Sequence, residues 1–342
     1  MRICIISTYP PIRCGVAYYT EKLVNSLKNL GQSTQISVLT DEITENDPMY
    51  PFLILKKVIQ NRPSVIHFQH EYLMYGFYGI PLIFMILILR VLGYPTIVTL
   101  HTVLPMRTMD QSFFDRYGLA FLPILVKKIG VILLTKLVCK FSSIVTVHTN
   151  SCKLVLRNEY HVKNEKIAIV PHGRDSIPKI PKEKAKHMLK LNDEKIMLCI
   201  GFIKPDKGFE RAIEALRSPK YNDYTLVVAG TLPFRHSLVE EQYVKYLHGL
   251  VHHLGLERRV MFIEHFLSET EIRILFSAAD VVYLPYKLET CGASGIYHLA
   301  KSFGSTIITS KINRFSEDLS SDWNSVASKI VGIYLGLASK RE

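Results

Sequence analysis

Short apolar runs alternate with longer stretches of helical periodicity along the whole chain. In the first half the runs are Ile3–Ile6, Ile36–Leu39, Val65–Phe68, Ile97–Leu100, Ile144–Val147 and Ile167–Val170. Alternation of this kind predicts a parallel sheet with helices on both faces. The first helix is expected from about Gly15 to Leu30, with Gly31 as its stop. After Gly173–Lys184, which holds two prolines and no apolar periodicity and reads as a linker, the alternation resumes at Ile196–Ile200, Leu226–Ala229, Val260–Ile263, Val281–Leu284 and Thr306–Thr309. Ser268-Glu269-Thr270-Glu271 is a capping-box start for a helix leading to Asp280. The second half is therefore another α/β unit.

The stretch from Ile196 to Leu216 organises that second unit. Five apolar residues end at Gly201 and give way to a polar turn carrying Lys204, Asp206 and Lys207, after which Gly208, Phe209, Ala212, Ile213 and Leu216 fall at helical spacing. Ligands of open α/β sheets bind at the carboxyl ends of the strands, where a helix start offers free amide groups and a positive dipole end. Two lysines at that edge suit a diphosphate; taken alone, they are equally readable as solvated loop charges.

Two apolar helices of the first half raise the question of a membrane. Tyr72–Leu89 carries no formal charge, but Gly76, Gly79 and Pro81 interrupt it, and the clean helical part is Pro81–Leu92. Twelve residues cover about 18 Å, short of the roughly 30 Å hydrocarbon core. The second helix, Leu119–Phe141, carries Lys127, Lys128, Lys136 and Lys140, with Arg107 and Arg116 nearby. Burial of both helices against the sheet explains their apolar residues. It does not explain the charge, and attachment to an anionic membrane surface is the preferred expectation.

With 342 residues and 48% hydrophobic content, the chain has the length of two α/β domains. The net charge of +12 is uneven: residues 1–180 hold 20 Lys and Arg against 11 Asp and Glu, and the remainder 22 against 19. Such a surface suits anionic partners, and nucleic acid ranks last because no recognition helix, zinc finger or RNP-type pattern is present. Six cysteines are scattered without a CxxC pair, which indicates a reducing, cytoplasmic setting and neither a zinc site nor a disulfide framework. The apolar run after Met1 is too short for a signal-peptide core. No G-x-G-x-x-G follows the first strand, which argues against a nucleotide-dependent oxidoreductase.

Seven signals stand in a fixed order: Pro10-Pro11 with Gly15 after the first strand; His67-Phe68-Gln69-His70-Glu71-Tyr72; Thr99-Leu100-His101-Thr102-Val103-Leu104-Pro105; Ile169-Val170-Pro171-His172-Gly173; Gly201-Phe202-Ile203 with Lys207-Gly208; Val228-Ala229-Gly230; and Tyr286 to Gly304. Together they resemble the retaining glycosyltransferases of the GT-B fold, family GT4, most closely its mannosyltransferase-like branch. The resemblance implies two Rossmann-like domains facing across a cleft, with a last helix crossing back to the first domain. The expected divisions are 1–172 for the acceptor and membrane-facing domain, 173–184 for the linker, 185–320 for a shortened nucleotide-sugar-binding domain, and 321–342 for the C-terminal helix.

It also implies the roles of individual residues. The turn Glu289-Thr290-Cys291-Gly292-Ala293-Ser294-Gly295-Ile296 enters a helix whose amides receive the donor diphosphate, so Gly292, Ala293, Ser294, Gly295 and Ile296 are expected donor contacts. Arg13 and Gly15 match the loop closing over the phosphates. Lys207 is the first choice to neutralise the departing diphosphate and Lys204 the second. Glu289 is expected on the hydroxyls of the transferred sugar and His101 near the same sugar. The chain departs from the family in three places. Tyr297 stands where the ribose-holding glutamate is expected, Phe202 where many members carry arginine, and Trp323 follows Ser316-Glu317-Asp318 almost at once.

The function implied is transfer of a hexose from a nucleotide-diphosphate sugar, with GDP-mannose the candidate donor, to a glycan or lipid-linked acceptor in polysaccharide biosynthesis. No metal is expected, since the chain has no D-x-D and the fold generally does without one. The location implied is the cytoplasm, at the inner face of the membrane. The alternative is a sugar-nucleotide-binding or glycan-binding protein of the same fold without turnover.

Overall fold

The computed structural model describes residues 1–30, 35–39, 49–72, 74–76, 79–110, 114, 123–233, 236–315 and 321–339. Arg116, Leu119 and the Ser316-Glu317-Asp318 segment lie outside the described residues. The chain forms two compact units, one of Met1–Gly173, Thr290–Ala293 and Glu317–Glu342, the other of Arg174–Glu289 and Ser294–Ser316.

In the first unit the elements run β1 (Arg2–Ile6), α1 (Gly15–Asn29), β2 (Gln35–Leu39), α2 (Tyr50–Asn61), β3 (Val65–His70), α3 (Ile80–Val91), β4 (Thr96–Leu100), β5 (Thr102–Val103), α4 (Ile124–Phe141), β6 (Ile144–Val147), α5 (Asn150–Asn158) and β7 (Ile167–Ile169), and the chain leaves through β8 (Gly173–Arg174). Six strands make a parallel sheet in the order β2-β1-β3-β4-β6-β7. Period-two alternation divides its two faces. Ile3, Ile5, Val65 and Ile97 point to one face, where they meet Tyr19, Leu23, Val24 and Leu27 of α1. On the other side α3 packs between α2 and α4 and against β4.

The second unit repeats the plan. It runs α6 (Lys182–Leu189), β9 (Lys195–Ile200), α7 (Phe209–Ala215), β10 (Tyr224–Ala229), α8 (Leu238–His253), β11 (Val260–Ile263), α9 (Glu269–Ala278) and β12 (Val281–Leu284). The two-residue strand β13 (Cys291–Gly292) precedes α10 (Gly295–Ser302) and β14 (Ile307–Thr309). The parallel sheet has the order β11-β10-β9-β12-β14. Ile196, Leu198 and Ile200 of β9 enter one core with residues of α9 and α10, while Met197 and Cys199 enter the other with Phe209, Ala212, Ile213 and Leu247. Ser268 and Glu271 cap α9 reciprocally, as their spacing predicts, and Ser237 with Glu240 does the same for α8. Within the stretch read as a linker, Ile177 and Ile180 pack on this unit's core and Lys182 already opens α6.

The chain returns to the first unit through β15 (Ser321–Asp322), whose Ser321 amide donates to the His172 carbonyl at 3.2 Å, and ends in α11 (Trp323–Ala338). Val326, Ile330, Val331, Tyr334 and Leu337 bury one stripe of α11 beside α1. Each large side chain contributes roughly 1.5–3 kcal/mol. Trp323 lies so close to Gly173 that a Cβ there would stand 2.1 Å from the indole.

Two histidines are enclosed by this packing. His67, on β3, is fully buried, with Nδ1 2.7 Å from the Tyr334 hydroxyl and Nε2 2.7 Å from Thr99 Oγ1. Those contacts occupy both ring nitrogens, consistent with a structural histidine. His148, after β6, is equally inaccessible. Burial pushes both imidazoles down to about 3, because the charged form would lose its hydration.

Two outcomes are expected. Gly173→Ala lowers the unfolding temperature, by an overpacking cost of about 1–3 kcal/mol; an unchanged thermal transition would show that the indole yields freely. Stability is also acid-sensitive. The folded pKa of each buried histidine lies below its unfolded value of about 6.5, so the unfolded chain binds more protons between the two. The associated stability is whole above about pH 6.5 and falls by about 1.4 kcal/mol per pH unit per histidine as the pH drops toward the folded values. Calorimetry between pH 7.5 and 4 reads this slope, and a flat transition temperature would contradict it.

Candidate active site

The residues expected to contact the donor fall into two groups, one at the carboxyl edge of each sheet. In the second unit, β9 ends at Gly201 and the following turn carries half-buried Lys204 and Lys207. Gly208 closes the turn at φ +70°, and a Cβ there would come within 2.2 Å of the Pro285 carbonyl oxygen. Only glycine permits that approach. It brings the turn against Pro285-Tyr286-Lys287, where the Lys287 amide donates to the Asp206 carbonyl at 2.8 Å. Lys204 Nζ lies 3.7 Å from Asp206 Oδ1, and Lys287 Nζ lies 2.8 Å from Glu210 Oε1.

Lys207 Nζ stands 3.9 Å from the centre of the Tyr286 ring, a cation–π distance. Tyr286 is buried, which pushes its phenol up to about 12, and its hydroxyl is 3.4 Å from Ser294 Oγ. Ser294 is the N-cap of α10, accepting from the Tyr297 amide at 3.3 Å. A single tyrosine thus joins Lys207 to the start of α10, where Gly295 is exposed and Ile296 half-buried. Ile296 Cγ1 would be 3.7 Å from a Cβ on Gly201. Glu289 is half-buried at the end of the loop after β12. Tyr297 packs into the core, its ring 5.4 Å from that of Phe315, which is itself 5.1 Å from Tyr286. That position supplies packing in place of a carboxylate.

In the first unit the edge gathers imidazole and phenol rings. His101 follows β4 and is half-buried; its Nε2 is 2.8 Å from the Gln69 side-chain oxygen and its Nδ1 is 3.1 Å from His148 Nε2. The Tyr19 ring meets it edge-on at 4.7 Å. Burial and the neighbouring imidazoles of His148, His172, His70 and His67 hold His101 well below the ordinary histidine value. Burial likewise lowers His70, the last residue of β3, to about 4. Gly292 pairs with Thr102 in the antiparallel contact of β13 with β5, one residue from His101, and half-buried Ala293 follows it. The Thr102 hydroxyl donates to Glu71 Oε2 at 2.8 Å. Arg13 and Gly15 are exposed at the start of α1, which Cys14 caps by accepting from the Ala17 amide at 3.3 Å. They stand at the start of α1, which carries Tyr19 to the His101 group.

Three members of these groups have no counterpart among the residues expected from sequence: His148, Gln69 as a partner of His101, and Tyr286. Each stands within two residues of a strand's carboxyl end, the rule that also locates His101. Lys127 corrects an expectation in the other direction. Assigned to a basic surface, it is buried on α4, 5.8 Å from the Phe114 ring. Among the described residues, no helix is long and apolar enough to cross a membrane, and no group of three or more His, Cys, Asp or Glu is placed to hold a metal ion.

Residues 19–176 match the family model described as Glycosyltransferase Family 4, and residues 181–324 match that of Glycosyl transferases group 1. No curated protein sequence matches the chain. Among solved structures it is similar to sucrose-phosphate synthase from Thermosynechococcus elongatus, at 18% identity and a TM-score of 0.70, over 100% of this chain and 91% of that one. It is similar to HepE from Anabaena in complex with UDP-glucose, at 15% identity and 0.67, over 100% and 95%. It is also similar to WaaG, a glycosyltransferase involved in lipopolysaccharide biosynthesis, at 13% identity and 0.67, over 100% and 94%. With a glycosyltransferase model matched in each half and parallel α/β sheets in both units, the chain is a GT4-like glycosyltransferase of the GT-B fold.

Proposed function

We propose that the protein is a retaining hexosyltransferase that takes its sugar from a nucleotide diphosphate and passes it to a glycan or lipid-linked acceptor. The observation that carries this reading is the Lys207 ammonium seated on Tyr286, joined through Ser294 to the N-terminus of α10. A cation and a helix start fixed in one group are suited to the charge that develops on a departing diphosphate, and they need no reorganisation as the anomeric bond breaks. Lys204 adds a second cation to the same turn. The acceptor hydroxyl gives its proton to the leaving phosphate, so no carboxylate pair is required. Glu289 and His101 take hydroxyls of the transferred sugar, while Gly292, Ala293, Gly295, Ile296, Arg13 and Gly15 complete the donor contacts. GDP-mannose is the donor suggested by the sequence resemblance, and UDP-glucose, bound in the HepE structure, is the second to test.

The packing of Tyr297 favours a second reading, binding of a sugar nucleotide without turnover, because the site forgoes a carboxylate for the ribose. Donor hydrolysis and transfer assays over a panel of nucleotide sugars separate the two. Lys207→Ala is expected to lower kcat by about 100- to 1000-fold and to weaken nucleoside diphosphate binding in calorimetry. Unchanged transfer and affinity would remove Lys207 from the chemistry, and binding without turnover across the panel would favour the second reading.

We propose also that the outer face of α2, α3 and α4 rests on an anionic membrane. Leu125 and Val91 are 64% and 84% exposed, accompanied by Phe52, Ile80, Ile129 and Leu133, and Lys56, Lys57 and Lys140 are exposed on the same helices. Apolar side chains among lysines suit the boundary between headgroups and acyl chains. The protein is expected to float with vesicles containing phosphatidylglycerol and less so with neutral ones. Failure to float with either would remove the membrane from the proposal.

A further inference from the structure

Four neighbouring strands of the first unit deliver a histidine to the same edge of the sheet. His70 closes β3, His101 follows β4, His148 follows β6, and His172 stands three residues beyond β7. The hydrogen bonds of His148 run in one direction. The Val170 carbonyl, 3.0 Å from Nδ1, can only accept, so Nδ1 holds the proton and Nε2 is bare. That bare nitrogen lies 3.1 Å from Nδ1 of His101. It accepts, so His101 carries its own proton on Nδ1, and the opposite tautomer would set two lone pairs against each other.

The rest of the chain of contacts closes on this assignment. Gln69 Oε1 is the atom 2.8 Å from His101 Nε2, and the Gln69 side-chain nitrogen the one 3.4 Å from His67 Nε2. The oxygen and nitrogen of an amide are assigned from the network around them, and a lone pair on His101 Nε2 requires this amide to be turned by half a rotation, its NH2 toward His101 and its carbonyl toward His67. His67 then donates from Nε2 to Thr99 Oγ1 and accepts the Tyr334 hydroxyl at Nδ1. His67, His70, His172 and Tyr19 surround the pair from β3, the segment after β7, and α1. Charge on either imidazole is costly among such neighbours, so the neutral directional chain holds over the physiological range.

We infer that His148 is a positioning residue for the transfer proposed above: acting through His101, it locks that imidazole with its proton on Nδ1 and leaves Nε2 as an acceptor for a sugar hydroxyl, which takes the place of the Gln69 amide. The group that fixes the tautomer of a histidine decides whether its other nitrogen donates or accepts. A hydroxyl offered to this nitrogen gives a hydrogen bond. A carbonyl or phosphate oxygen offered to it is repelled.

Nitrogen-15 spectra of the histidine-labelled full chain test the lock directly. The His101 signals, assigned by their loss in His101→Gln, are expected to show a protonated Nδ1 and a bare Nε2, without titration between about pH 5.5 and 8. In His148→Leu, which offers no acceptor, they move toward a mixture of tautomers. In His148→Gln the Nδ1-protonated form is retained, since a side-chain carbonyl can accept from His101 while its NH2 donates to Val170. Transfer follows the spectra: kcat falls about tenfold or more in His148→Leu and recovers most of that loss in His148→Gln, with nucleoside diphosphate affinity unchanged in both. A proton on Nε2 of His101 in the unmodified chain, or equal kcat in the wild type and His148→Leu, overturns the inference. Absence of turnover in the wild-type chain overturns the transferase reading, and the spectra then decide the tautomer lock by themselves.

Discussion

The ring of Tyr19 is the point on which the first unit closes. Carried by α1 and almost fully buried, it lies 4.7 Å from the ring of His101, 5.3 Å from His148, 5.4 Å from His172 and 5.2 Å from Trp323. One side chain therefore ties a helix to the ends of three strand segments and to the terminal helix. Among the described residues its buried hydroxyl has no hydrogen-bond partner, a cost of about 1–3 kcal/mol. Four aromatic contacts at about 0.5–1.5 kcal/mol each offset it. The geometry keeps the ring and tolerates the hydroxyl, and the enclosure that results is what holds the histidines neutral.

From that enclosure follows a difference in chemistry between the two sheet edges. The first unit's edge is built of imidazoles held neutral by burial, and the proton of His148 is committed inward, toward the Val170 carbonyl, which on the inference above leaves an acceptor at His101 Nε2. Hydroxyl groups are the partners such an edge suits. The second unit's edge gathers ammonium groups and a helix start, Lys204, Lys207 and α10. Anions are the partners that edge suits. Each edge was produced by the same rule, a parallel strand giving way to a turn at its carboxyl end, and the residue types placed there set the preference.

Much of the fold was legible because parallel strands covered on both faces leave uninterrupted apolar runs, as at Ile196–Ile200 and Leu226–Ala229. Helix ends with a chemical marker were legible too, as Ser268 and Glu271 show. The pairing of β13 with β5 was not, since it joins two-residue strands far apart in the chain and no local pattern encodes it. Lys127 misled because charge predicts exposure, whereas its place on α4 turns it inward. For the site, His101 and Lys207 came from motif resemblance and strand ends. His148 and Gln69 acquire meaning only when β3, β4 and β6 lie side by side, for the direction of a hydrogen bond is a property of the pair.

Tyr286 illustrates the same limit in the second unit and adds a physical point. An aromatic ring under an ammonium locates the charge without cancelling it, because the ring carries a quadrupole and no net charge. A carboxylate at the same distance would locate the lysine equally well while removing most of its pull on an anion. At 3.9 Å, the Tyr286 ring sets an aromatic face that carries no net charge against the Lys207 ammonium. The ring's hydroxyl then ties that fixed charge, through Ser294, to the amide groups at the head of α10. The seat for the ammonium and the link to α10 are supplied by different atoms of one residue, and nothing in the run Val281-Val282-Tyr283-Leu284-Pro285-Tyr286 reveals it before the turn at Gly208 brings Lys207 alongside.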